Sequence, residues 1–245
     1  MSYESDFLRN VYLLFHYGTP EEILDGIGLD ASAIQGAALH FPEATVEFFQ
    51  PYPDAKRALD LGCAVGKSSL VLSKSIDEVI GIDFSQNFVD AAETIRSEGK
   101  IDYLRYREAH LSEKLTTEIP ENARPEAVSF EQGDAMHLRL DLGSFDLVHA
   151  ANLLCRLPEP LRFLNRLSEL VAPDGQLVLA TPCTWLEEFT PRENQPTGPT
   201  LDLLHEHLDA DFELQKVEEI PFLIREHVRK FQLSTSQTSL WRRKT

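Results

Sequence analysis

Three aspartates stand at the ends of three short apolar runs. Asp60 precedes Gly62-Cys63-Ala64-Val65-Gly66. Small residues at such a strand-to-helix turn let a ligand approach the backbone, and the start of the following helix offers free N–H groups. Asp83 ends Val79-Ile80-Gly81-Ile82 and stands before Phe84. A carboxylate at a strand tip accepts hydrogen bonds from both ribose hydroxyls of a nucleoside. Asp134, in Gln132-Gly133-Asp134-Ala135, is suited to accept from an adenine amino group while the backbone N–H of Ala135 serves a ring nitrogen. Each has an ordinary structural explanation: a tight turn, a helix cap before Ser85, a Gly-Asp turn. Their recurrence at successive strand ends favours a nucleoside-bearing ligand. A fourth run, Phe145 to Leu154, carries Asn152 just past its apolar part. Asp146 reads as structural there, and the following Cys155 and Arg156 read as packing and capping residues.

These residues need a scaffold that brings strand ends together. From Lys56 onward, short apolar runs alternate with helical segments. The pattern predicts strands over 57–61, 78–83, 127–132, 145–150 and 176–181, and helices over 65–74, 85–97 and 159–170, with Ser85 as an N-cap. Such alternation implies an α/β fold, a Rossmann-like, mostly parallel sheet with helices on both faces. Runs over 212–217 and 224–241, with no long helix between them, predict a closing hairpin and an antiparallel edge, seven strands in all. Residues 3–17 carry Phe7, Val11, Leu14 and Phe15 on one helical stripe, so 1–55 reads as an N-terminal helical cap that contributes to the site, and 56–245 as the core. The stretches 98–126 and 182–199 read as lid-like insertions, the first without an assignable structure. The second lies past the fifth strand, where open α/β sheets place ligands.

Composition narrows the partners. The chain has 245 residues and a formal net charge of −17. That charge argues against nucleic acid, whose binding needs excess cations, and against anionic membranes. The acidic N-terminus lacks the apolar stretch of a signal peptide, so a cytoplasmic location is expected. Three separated cysteines make neither a disulfide framework nor a zinc set. His205-x-His207 points its rings apart on a helix, so no metal is expected. The charge is uneven: residues 222–245 hold six Lys or Arg and one acid, a local +5 that leaves −22 on the rest.

The acid-x-Gly-x-Ala-x-Gly pattern of 60–66 differs from the G-x-G-x-x-G dinucleotide fingerprint. It resembles motif I of class I S-adenosyl-L-methionine (SAM) methyltransferases, with Ala64 in place of the usual middle glycine, and 145–154 resembles their motif IV. The resemblance implies cofactor contacts from Asp60, Gly62, Cys63, Ala64, Gly66, Asp83, Phe84, Asp134, Ala135 and Asn152. Further segments resemble one subfamily: Phe15-His16-Tyr17-Gly18, Ala58–Gly66, Ala151–Pro158, Thr184–Asn194 and Pro221–His227. That subfamily is the methyltransferase of ovothiol biosynthesis, which methylates an imidazole nitrogen of 5-thiohistidine. Many relatives are fused behind an iron-dependent sulfoxide synthase; this chain has no room for one and reads as stand-alone, with a functional link to a separate synthase. Gln195-Pro196-Thr197-Gly198 stands where an aromatic residue and glycines are expected.

Methyl transfer from a sulfonium asks the protein mainly to position the nucleophile and exclude water. A neutral imidazole nitrogen carries its own lone pair. The expectation is therefore tautomer selection by hydrogen bonds, with Asn152 and Tyr17 at the reaction centre and no dedicated proton acceptor. A zwitterionic amino acid needs a cation for its carboxylate, for which Arg225, Arg229 and Arg192 are candidates, and an acceptor for its ammonium, for which Glu187 and Glu188 are equivalent choices. His16, Tyr17 and Asn194 complete the substrate candidates. The competing readings are a methyltransferase of another small metabolite, an NAD-binding oxidoreductase, and a non-catalytic SAM-binding module.

Overall fold

A computed structural model describes residues 3–28 and 31–245; Met1 and Ser2 of the acidic tip and the end of the 18–30 stretch lie outside the described residues. The helices are α1 (Asp6–Tyr17), α2 (Pro20–Leu24), α3 (Gly36–Leu39), α4 (Phe41–Val46), α5 (Lys67–Leu72), α6 (Gln86–Glu98), α7 (Pro160–Leu164), α8 (Leu167–Leu170) and α9 (Thr200–Leu208). The strands are β1 (Arg57–Leu61), β2 (Glu78–Asp83), β3 (Lys100–Glu108), β4 (Leu111–Glu118), β5 (Val128–Gln132), β6 (Phe145–Ala151), β7 (Val171–Thr181), β8 (Phe212–His227) and β9 (Lys230–Arg243). No helix among them is long and apolar enough to cross a membrane.

Seven strands form one sheet in the order β5-β2-β1-β6-β7-β9-β8. Pairings from β5 through β7 are parallel. β9 runs antiparallel to both β7 and β8, as the closing hairpin predicts. The arrangement is the class I, Rossmann-like methyltransferase architecture, with β8 unbroken through Pro221 because it pairs on one side only. β1, β2 and β6 are buried along nearly their full length, which is why they read as continuous apolar runs.

Local chemistry sets the helix starts. Ser5 caps α1 by accepting from the Leu8 N–H, and Ser85 caps α6 by accepting from the Phe88 N–H. Two helix expectations shift. The segment expected over 65–74 is helical only over Lys67–Leu72, because Gly66 holds a left-handed φ of 84° and extends the turn. The helix expected over 159–170 is two short ones, since Arg166 N–H bonds back three residues to Phe163 O and tightens the chain.

The unassigned stretch 98–126 is an antiparallel ribbon, β3 with β4, reversing at Ala109 with φ 49°. It rests on α1 and on the outer end of the β8–β9 hairpin: Asn10 bridges Leu104 N–H and the Tyr106 hydroxyl, and Val228 N–H donates to Arg107 O. The 182–199 stretch is irregular apart from a 3-10 turn at Arg192–Asn194. Leu13, Leu14, Ile23 and Leu39 from the N-terminal helices share one core with Ala58, Leu70 and Val79 of the sheet layer. That packing joins the N-terminal helices to the sheet layer, and α4 touches β6 and β7.

Candidate cofactor cleft and active site

β1, β2, β5 and β6 end on one cleft of about 540 Å³. Asp60, Asp83, Asp134 and Asn152 all line it, so the residues singled out at separate strand ends converge.

The β1–α5 turn is shaped by left-handed backbone at Gly62 (φ 72°), Ala64 (φ 47°) and Gly66 (φ 84°). A Cβ on Gly66 would lie 2.6 Å from the Phe130 ring, so only glycine fits. Ala64 tolerates its φ at a cost of about 1–2 kcal/mol, and its N–H donates to Asp83 Oδ2 at 2.9 Å. Asp83 Oδ1 accepts from the Ser85 N–H at 2.9 Å. Burial outweighs these two bonds and pushes the Asp83 carboxyl up to about 6. Phe84 beside it is 71% exposed, a bare aromatic face on the cleft wall. A half-buried carboxylate in need of further donors, beside an uncovered ring, fits a ribose and its base. Asp134 and the buried Ala135 line the same end, Asp134 Oδ1 accepting from the Met136 N–H. The residues present therefore fit an adenosyl group.

Asp60 is 1% exposed and fully engaged. Ser69 Oγ donates to its Oδ2 at 2.6 Å, and His149 Nδ1 lies 2.8 Å from its Oδ1. His149 Nε2 in turn lies 3.0 Å from the Thr45 hydroxyl on α4. This Asp-His-Thr chain locks the aspartate beside the turn; His149, unnoticed in the sequence because it sits inside an apolar strand, is its hinge. Cys63 is a buried thiol whose pKa burial pushes well up, so it stays protonated.

Asn152 has a left-handed φ of 56°, and its N–H donates to Ala180 O. Its Oδ1 accepts from the Ser236 hydroxyl at 2.6 Å, which leaves the amide N–H groups to face outward. His16 lines the cleft; burial lowers its pKa to about 3, so its ring is neutral, with Nδ1 unpartnered. Tyr12, Phe15 and Phe41 form the aromatic wall around it.

Several expected substrate residues lie elsewhere. Tyr17 is buried outside the cleft, its hydroxyl donating to Val65 O at 2.9 Å; it braces the turn and does not meet the reaction centre. Arg225 is 2% exposed, and its Nη1 donates to the carbonyls of Ile23, Asp25 and Glu22. Alternation along β8 turns that side chain under α2, away from the cleft. Arg229, at the hairpin tip, is exposed and pairs with Glu108 at 2.5 Å. Arg192, Asn194 and Glu187 lie outside the cleft lining, Asn194 donating to Pro158 O. Of the paired choice, Glu188 lines the cleft. Arg156, read as a capping residue, lines it too. No local signal marks Arg156, because its place depends on the path of the loop after β7.

A family model described as a methyltransferase domain matches residues 35–240. Demethylmenaquinone methyltransferase of Lactobacillus johnsonii is 28% identical over 150 residues, 60% of this chain and 47% of that protein. The protein of the same name from Lactococcus lactis is 31% identical over 123 residues, 49% of this chain and 39% of its own length. The chain thus spans less than half the length of these curated relatives. Among solved structures, a putative methyltransferase from Bacillus halodurans aligns with TM-score 0.55 at 13% identity, covering 83% of this chain and 99% of that one. The [4+2]-cyclase SpnF aligns with TM-score 0.59 at 18% identity, covering 98% of this chain and 92% of its own. These two likenesses establish the fold alone, and a cyclase among them illustrates that reaction is set by the site. With the family match spanning most of the chain and the cleft fitting an adenosyl group, the chain belongs to the methyltransferase domain family and takes S-adenosyl-L-methionine as its cofactor.

Proposed function

We propose that the protein transfers a methyl group from SAM to an imidazole nitrogen of 5-thiohistidine. The observation that carries this reading is that the cleft's two histidines and Asp60 are either committed to other side chains or too weakly basic to take a proton. Asp60 and His149 are engaged with each other and with Ser69 and Thr45, and His16, with a pKa of about 3, is too weak a base to take a proton near neutrality. A hydroxyl nucleophile needs such a base; a neutral imidazole nitrogen does not. The Thr184–Asn194 and Pro221–His227 segments support the finer substrate.

When bound, SAM supplies an already activated methyl on a sulfonium. Asp83, the Gly62–Ala64 backbone, Phe84, Asp134 and Ala135 would hold its nucleoside, with Asp60 and Cys63 along the turn. The protein's own work is then placement. Asn152 offers amide N–H donors, fixed by Ser236, to one edge of the acceptor ring. The neutral His16 ring accepts or donates according to the tautomer presented to it, and the aromatic wall of Tyr12, Phe15 and Phe41 excludes water. Glu188 offers a carboxylate for an ammonium. A separate sulfoxide synthase would act upstream, with a C–S bond cleavage still needed to release the thiohistidine.

The test is incubation with SAM and 5-thiohistidine, with histidine as control, read by mass spectrometry. A gain of one methyl on thiohistidine and none on histidine is expected. No gain on thiohistidine overturns the substrate while leaving family and cofactor intact.

A further inference from the structure

Two of the three arginines first suited to a substrate carboxylate are committed elsewhere: Arg225 to carbonyls, Arg229 to Glu108. The third, Arg192, lies outside the cleft lining. Among the described residues, Arg156 is the one Lys or Arg side chain that lines the cleft. It has no carboxylate within ion-pair distance there, in contrast to most arginines of the chain.

Its protein partners are all neutral. Nη1 donates to Thr184 O at 2.9 Å and meets Cys155 O at 3.1 Å and Cys155 Sγ at 3.2 Å. Nη2 donates to Thr184 Oγ1 at 3.1 Å. The Phe189 ring lies under the guanidinium, 5.0 Å from Cζ to centroid. These contacts clamp the end and one face of the guanidinium. They leave the side formed by Nε–H and the second Nη2–H without a protein partner on a residue that lines the cleft. That pair of parallel donors is the edge that takes a carboxylate in bidentate fashion. Glu188, next to Phe189 in the chain, lines the same wall and supplies the opposite charge.

We infer that Arg156 is the seat of the substrate's carboxylate and makes the site selective for α-amino acids over their decarboxylated amines. The inference rests on the methyltransferase reading above. A preformed guanidinium, held by Thr184 and stacked on Phe189, loses little freedom when it binds, so the contact acts strongly on discrimination.

The experiment compares 5-thiohistidine with thiohistamine, its decarboxylated analogue, as methyl acceptors for the wild type, Arg156→Gln and Thr184→Val. Calorimetry of SAM binding runs alongside. The wild type should prefer thiohistidine by about 100-fold in kcat/KM, the scale of a paired charge-assisted contact. Arg156→Gln should erase that preference, lowering thiohistidine turnover about 100-fold while changing thiohistamine and the SAM Kd less than threefold. Thr184→Val cuts the clamp but not the free edge, and should retain most of the preference. Equal losses on both acceptors, or a SAM Kd weakened as much as turnover, would overturn the inference, the second by giving the carboxylate seat to the cofactor's methionyl end. A wild type that methylates thiohistamine as well as thiohistidine overturns it with the function intact. A wild type that methylates neither overturns the proposed function, and the seat with it.

Discussion

Asp83 ties cofactor affinity and the stability of the ligand-free protein to pH with opposite signs. Burial raises its carboxyl to about 6, against about 3.9 for an unperturbed aspartate. Roughly two units correspond to about 3 kcal/mol of penalty on the charged form. Because the folded value lies above the unfolded one, the group favours folding fully below about pH 4, and that contribution is lost as pH rises through about 6. Ligand-free protein should therefore gain stability from this site on acidification from pH 7. Ribose hydroxyls donate far more strongly to the charged carboxylate than to the neutral acid, so SAM affinity should move the other way. At pH 5 about one site in eleven is ionised, and the Kd should rise about tenfold over its value at pH 7.5. Asp83→Asn removes the charge, and one of the two backbone donors, Ala64 or Ser85 N–H, then faces an amide nitrogen. Allowing for that loss, the variant should be about 2 kcal/mol more stable without ligand at pH 7.5, about 4–8 °C in Tm. It should bind SAM about 30- to 1000-fold more weakly, with no dependence on pH between 5 and 7.5. Calorimetric titration with SAM and a thermal melt measure both. A wild-type Kd that is unchanged at pH 5, or an Asp83→Asn variant that binds within threefold of wild type, would refute the assignment.

Ala64→Gly relieves the left-handed alanine and should raise the urea unfolding free energy by up to about 1 kcal/mol, less the greater entropy of the unfolded glycine; a loss of more than 1 kcal/mol would show that Ala64 packs more than it strains. Ser236→Ala releases Asn152 Oδ1, so the amide can turn; kcat for the methyl acceptor should fall about tenfold with the SAM Kd unchanged, and an unaltered kcat would remove Ser236 from the positioning of Asn152. Arg225→Met strips donors from three carbonyls and should cost about 1–3 kcal/mol in urea unfolding while leaving the acceptor KM within threefold. An unchanged stability with a raised KM would return Arg225 to the substrate.

The strand ends were legible because their determinants are local. A buried parallel strand is a continuous apolar run, and the turn after it needs glycine, or an alanine under strain, where φ is positive, as at Gly62, Ala64 and Gly66. The ribbon β3–β4 was not legible, since it is a two-stranded structure that buries little: Tyr103 is covered by its neighbours, while Leu104 and Leu111 stay exposed, so no strict alternation marks it. His149 escaped notice for a related reason. Its ring is 1% exposed within β6 and is satisfied by Asp60 and Thr45, which lie 89 and 104 residues away in sequence.

The arginines show where local reading stops. Arg225 and Arg229 sit in a basic C-terminal segment, and charge alone made them the natural carboxylate ligands. Which face of an edge strand an arginine occupies is decided by register, and register on β8 is set by its pairing with β9, Arg225 opposite Phe231 and Phe222 opposite Ser234. That pairing sends Phe222 into the core with Phe15 and Phe41 and turns Arg225 beneath α2, where carbonyls replace the carboxylate it was expected to meet. Arg156 has the opposite history. Nothing in Leu154-Cys155-Arg156-Leu157 distinguishes it from a helix-end cation, yet Thr184 and Phe189, from a loop about 30 residues on, clamp it at the cleft with one edge free. A guanidinium held in place by neutral groups at the cleft is positioned in advance, and a substrate carboxylate supplies the charged partner it lacks among its protein contacts.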